Sequence, residues 1–168
     1  MPGLSYYNPF QQAELRIPKQ FQEAFARYTR TYTGGAGKVD HENSPLDRYV
    51  DLWMLAVCVG ARDTLTSDAS WRKPDVKEWH RFIQGSIFQG DTTRIELLAI
   101  SLSGDPFIIA SPNKAIELTN DMAAIGLPRV IEMIQSGQGK PLWNIAYHLQ
   151  RMLQDQGDSE SDTASPAG

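Results

Sequence analysis

Ala13-Glu14-Leu15-Arg16-Ile17-Pro18 alternates apolar with charged side chains, the period of a strand with one face covered. Pro18 then stands where a helix begins, because its missing N–H would be unsatisfied there in any case. Phe21, Phe25, Tyr28 and Tyr32 recur at helical spacing, which predicts a helix to about Thr33, stopped by Gly34, Gly35 and Gly37. After the polar loop 34–43, Ser44 and Pro45 carry a cap-then-proline signal, with Asp47 at the capping-box position. The second helix is expected to run to about Ala61. Its apolar face of Leu46, Tyr49, Val50, Trp53, Met54, Val57 and Cys58 is wide enough to demand central burial.

Outward from this stretch, the same proline signal recurs at Pro74, Pro112, Pro128 and Pro141. A third helix follows Pro74 with Val76, Trp79, Phe82, Ile83 and Ile87, and a fourth opens at Asp91 or Thr92. A fifth runs from Pro112 to a C-terminal Gly126, a short sixth starts at Pro128, and the last spans Pro141 to Leu153. Phe107-Ile108-Ile109-Ala110 is open between a short strand near 106–110 and a buried helical turn. The reading is therefore mainly α: about seven helices and at most two short strands. Residues 1–12 form an arm, 13–153 one compact helical domain, and 154–168 a disordered acidic tail with little to bury.

At 168 residues, 41% of them hydrophobic, the chain suffices for one cored domain. Its single cysteine, Cys58, excludes an intrachain disulfide and a four-cysteine metal site, and its place on an apolar face predicts burial. Residues 1–10 lack the pattern of a signal peptide, and no apolar run approaches the ~18 residues of a membrane span. The expectation is a cytoplasmic protein with no membrane contact. The net charge of −4 resides in Asp155, Asp158, Glu160 and Asp162, leaving 1–153 near neutral. Contact with nucleic acid would need a local basic face rather than steering by the whole molecule.

The strand–helix–helix order of 13–61 resembles the ribbon–helix–helix DNA-binding proteins. The resemblance implies that a second copy pairs its strand with this one and that Glu14 and Arg16 face the major groove. It implies further that the helix start at Ser44 to Leu46 holds a phosphate on its free N–H groups. Two features depart from the pattern: the connection between the helices is about ten residues, where that family uses a few, and Asp47 would repel a phosphate. With Tyr49 to Cys58, the segment also resembles a small accessory component of bacterial DNA sulfur-modification systems, which implies an oligomeric, DNA-associated role without enzymatic activity.

Arg16, Lys19, Arg27, Arg30 and Lys38 form a basic strip in sequence, and with Ser44 they are the candidate contacts to duplex DNA. Tyr6, Tyr7, Tyr28 and Tyr32 lie close enough in sequence to offer stacking. The competing readings are a protein-interaction adaptor that never touches DNA and a small helical nuclease built on Asn144, His148 and Arg151. Gly34-Gly35-Ala36-Gly37-Lys38 follows a helix and lacks Ser or Thr after the lysine, so it does not make a phosphate loop. Asp40-His41-Glu42 are adjacent and poorly placed to share one metal ion. No cofactor or metal is expected. Trp53, Trp79 and Trp143 are expected in the core, while Trp71, beside Arg72 and Lys73, is a candidate interface residue.

Overall fold

The computed structural model describes residues 8–10, 13–30, 40–67, 72–82 and 89–161. The predicted strand is Leu15–Pro18 (β1). A 3-10 turn at Lys19–Phe21 leads into Gln22–Tyr28 (α1), followed by Tyr49–Thr66 (α2) and Trp79–Phe82 (β2). The chain continues as Gln89–Ser103 (α3), a second 3-10 turn at Pro106–Ala110, Pro112–Gln135 (α4) and Pro141–Ser161 (α5). The molecule is mainly α. Among the described residues five α-helices stand where seven were expected, and no helix is long and apolar enough to cross a membrane.

Two tertiary effects account for the difference. The third predicted helix does not form where it is described: 74–78 is irregular and Trp79–Phe82 pairs antiparallel with β1, Leu15 opposite Phe82 and Ile17 opposite His80, while Ile83 and Ile87 lie outside the described residues. An exposed pair of backbone edges in β1 needs hydrogen-bond partners, and that need outweighs a helical spacing of five apolar residues. The fifth and sixth predicted helices are one. α4 passes through both Gly126 and Pro128, because the stripe Ile116, Asn120, Ala123, Leu127, Val130 and Ile134 keeps its steps of four and three across both residues and is buried throughout.

α2 and α4 form the centre of the fold, with β1, α3 and α5 packed on α4. Leu52, Trp53, Ala56 and Val57 of α2 are fully buried, as the wide apolar face predicts. The two helices touch backbone to backbone. A Cβ on Gly60 would sit 2.1 Å from the Met122 carbonyl oxygen, and one on Gly126 would sit 2.0 Å from that of Ala56. Gly126 is thus a contact residue inside a helix, and the helix end expected there does not form.

Helix starts also move. α2 begins at Tyr49, four residues past Pro45, and its capping box is Arg48 with Asp51: the Arg48 N–H donates to Asp51 Oδ2 at 2.9 Å. The Arg48 guanidinium continues to Asp91 at 2.9 Å, a carboxylate only 4% exposed at the start of α3. α1 is shorter than predicted, since Thr29 is extended and Thr29 and Leu46 form a parallel bridge. Tyr32 lies outside the described residues. Pro106–Ala110 is neither strand nor buried turn. It is a 3-10 turn capped by Asp105, whose Oδ1 accepts from the Phe107 N–H at 2.9 Å. α5 runs on to Ser161, past Gln154, where the composition predicts a disordered tail.

Candidate functional site

The predicted strand pairs with β2 of its own chain along one edge and meets the Asn120 side chain along the other. The backbone N–H of Arg16 and the carbonyl of Glu14 point away from β2, and both are bound by the side-chain amide of Asn120 on α4. The Arg16 N–H donates to Asn120 Oδ1 at 2.9 Å, and Asn120 Nδ2 donates to the Glu14 carbonyl at 3.0 Å. Pro18, next along that edge, has no N–H to offer. The amide takes the place of a third strand at these two groups of the outer edge of β1. Leu15 and Ile17 are buried, as the alternation predicts.

The predicted basic strip does not assemble as one face. Arg16 lies over the Trp79 ring at 5.4 Å and 3.9 Å from Glu117. Lys19 donates to Glu78 at 2.8 Å, and Arg30 pairs with Asp47 at 2.5 Å. Because α1 ends at Tyr28, Arg27 and Arg30 do not share a helical face. Arg27 is exposed over the ring of its neighbour Tyr28, which is itself buried and unable to stack on a base. Ser44 caps no helix: its hydroxyl donates to the Arg27 carbonyl at 2.9 Å. The phosphate site expected at Ser44 to Leu46 therefore has no helix N-terminus behind it. Lys38, Trp71, Tyr6 and Tyr7 lie outside the described residues.

The nuclease trio also separates. Asn144 is buried, and its amide donates to the carbonyls of Ile134 and Gly139, both at 3.1 Å, closing the end of α4. His148 Nε2 shares a 2.8 Å hydrogen bond with Ser136 Oγ at the same helix end. Arg151 lies over the Tyr147 ring at 6.0 Å. In the loop before α2, Asp40 accepts from the N–H groups of Glu42 and Asn43, and the Asn43 amide is the main cause of its lowered pKa. Glu42 accepts from Lys140 and from Trp143 Nε1. Among the described residues no three His, Cys, Asp or Glu side chains gather as metal ligands would.

What the surface does offer is uncovered apolar area. Trp143 was expected in the core and is 60% exposed, with Tyr147 at 57% one turn along α5. Phe107 is 79% exposed on the 3-10 turn packed against α3, which itself exposes Leu97. Cys58, expected buried, is exposed on the outer side of α2. A sequence signal for α5 was present: Trp143, Tyr147 and Arg151 share a face that Ile145 and Leu149 do not. Isolated exposed apolar residues are ordinary, whereas exposed aromatics grouped on one element mark interaction surfaces.

One buried acid, Asp121, sits on α4 beside Lys73. Burial holds the Asp121 carboxyl above the ordinary carboxylate range, opposed by Lys73 at 3.9 Å, reinforced by Glu117 and opposed again by Arg16. The folded state therefore binds this proton more tightly than the unfolded chain, and the contribution of Asp121 to stability falls as pH rises through that range. Asp121→Asn is expected to melt higher than the parent at neutral pH. The gap should close below the unfolded carboxylate pKa, where both states of the parent are protonated. Thermal melts across pH check this, and an Asp121→Asn that melts lower at neutral pH would show that the Lys73 pair outweighs the burial cost.

Compared with family models, curated proteins and solved structures, the chain has no significant match in any of the three.

Proposed function

We propose that this chain is a protein-interaction module, without enzymatic activity, whose contacts run through its uncovered apolar surface rather than through nucleic acid. The observation that carries the reading is a contrast at the surface. Arg16, Lys19 and Arg30 each have a carboxylate beside them, while Phe107, Trp143 and Tyr147 have most of their side-chain surface in water. Ion-paired cations release few counterions on meeting DNA, so they supply little of the term that drives such binding. Exposed aromatics are what interface centres are made of.

A DNA-associated role, as an oligomeric accessory of a bacterial DNA-modification or defence system, has Arg27 in its favour: it is exposed and has no carboxylate partner among the described residues. Two measurements separate the readings. A labelled duplex titrated at low salt is expected to show no saturable binding. A photo-crosslinking residue at Phe107, introduced in the native host, is expected to give one discrete protein adduct, and the same residue at exposed Gln22 none. Saturable duplex binding that weakens steeply with salt and is lost in Arg27→Glu would overturn the proposal in favour of the DNA-associated role.

A further inference from the structure

β2 has one edge paired and one edge open. In an antiparallel pair, successive residues point their N–H and C=O groups to opposite sides. The Arg16 N–H and the Glu14 carbonyl point away from β2, so Leu15 and Ile17 point toward it, opposite Phe82 and His80. The Lys19 N–H, donating to the Glu78 carbonyl at 2.9 Å, continues the same order. The N–H and C=O groups of Trp79 and Arg81 therefore face outward, and they meet no hydrogen-bond partner among the described residues. Natural edge strands are blunted by proline, by bulges or by unpaired charge. β2 contains no proline, its register with β1 runs without a bulge, and Arg81 is held by Glu14 of its own chain at 3.0 Å.

We propose that a second copy of the chain pairs on this edge, β2 against β2, so that two two-stranded sheets join into one in the order β1-β2-β2-β1. A two-fold axis between two copies of one edge makes the strands antiparallel and closes the assembly at two subunits. Outward-facing residues pair with outward-facing residues, and charge selects among the registers that remain. Trp79 opposite its own copy sets Lys77 against Arg81, and Arg81 opposite its own copy sets arginine against arginine. Like charges directly opposed are destabilising. Trp79 opposite Arg81 sets no like charges against each other. In that register the axis passes at His80, and each Trp79 exchanges both main-chain hydrogen bonds with the other copy's Arg81. Arg81 then lies beside the other copy's Trp79, repeating between chains the contact that Arg16 makes with Trp79 within one chain at 5.4 Å. The dimer goes beyond the interaction reading above, since it uses the backbone of β2 and none of Phe107, Trp143 or Tyr147. It also differs from the oligomer that the ribbon resemblance implies, which pairs β1. A strand of four residues makes a small contact, so the dimer is expected to be concentration-dependent, with a dissociation constant of roughly micromolar order or weaker.

Sedimentation across a concentration series tests the proposal. The wild-type chain is expected to pass from monomer to dimer. Arg81→Pro removes an outward N–H that β1 does not use, so it should weaken association by about tenfold or more and leave the monomer folded by circular dichroism. His80→Pro is the contrast: its N–H faces β1, and its loss should lower the melting temperature. Cross-linking reads the register. Residues opposed at a non-hydrogen-bonded position have Cα atoms about 4.5 Å apart, within reach of a disulfide. In a Cys58→Ser background, His80→Cys should give a covalent dimer in a mild glutathione buffer, and Arg81→Cys, offset along the strands, should not. A wild-type chain that stays monomeric at the highest concentration overturns the proposal and leaves the edge to an extended segment of another protein. A dimer indifferent to Arg81→Pro, or lost instead in Phe107→Ala or Trp143→Ala, places the second copy on another surface and overturns it too. Cross-linking through Arg81→Cys in preference to His80→Cys overturns the register and the charge argument behind it.

Discussion

Gly126→Ala is expected to lower stability by about 2–3 kcal/mol, although the same change inside an ordinary helix raises it by roughly 0.5–1 kcal/mol. The sign reverses because the new methyl would lie 2.0 Å from the Ala56 carbonyl oxygen and 2.7 Å from the Gly60 nitrogen. Both obstacles are backbone atoms of α2. Neither can rotate aside, so α2 and α4 must move apart, and the buried side chains around Trp53 and Leu127 lose contact with each other. For a chain of this size the melting temperature should fall by roughly 5–10 °C. Gly60→Ala meets the Met122 carbonyl oxygen at 2.1 Å and should behave alike. The double variant should cost less than the sum, because a single separation of the helices relieves both clashes. Gly90→Ala, near the start of α3 with nothing within 4 Å, is the matched control and should be neutral or slightly stabilising. A Gly126→Ala protein that melts with or above its parent would mean that the helices do not cross this closely.

Asn120→Ala is the second large effect, expected at about 3 kcal/mol or more. Asn120 is 1% exposed and serves three partners: the Arg16 N–H, the Glu14 carbonyl and Trp53 Nε1, the last donating to Asn120 Oδ1 at 3.2 Å. Alanine leaves the buried Trp53 Nε1–H and the part-buried Arg16 N–H and Glu14 carbonyl unmatched, at roughly 1–3 kcal/mol for each group that water cannot reach. Urea denaturation measures the total. Hydrogen exchange gives the specific signature: the Arg16 amide should lose protection, while Ile17, on the edge of β1 facing β2, keeps it. Uniform acceleration of both amides would mean that Asn120 supports general packing and does not hold the strand edge.

These two sites show where residue order is informative and where it is not. The alternation at 13–17 announces a half-buried strand, and Leu15 and Ile17 are buried accordingly. The wide apolar face of α2 announces a central helix. Pro112 and Pro141 announce the starts of α4 and α5 correctly, because in both cases the proline's missing N–H falls in the first turn. Gly126 and Pro128 mislead for a local reason: each is a common helix terminator, and only the uninterrupted stripe from Ile116 to Ile134 outweighs them. The basic strip misleads for another reason. Its members are close in sequence, but their partners Glu117, Glu78 and Asp47 come from segments that folding alone brings near.

Periodicity and composition suffice for a mainly helical chain with a short N-terminal strand, an apolar second helix and most of its net charge at the C-terminal end, since these depend on neighbours a few residues apart. The partner of β1, the amide that meets its outer edge, the glycines that let α2 and α4 touch, and the aromatic stripe left in water all depend on contacts between residues tens of positions apart. Such contacts follow from which surfaces remain to be paired once the helices have packed, and that is a property of the assembled body rather than of any window along the chain.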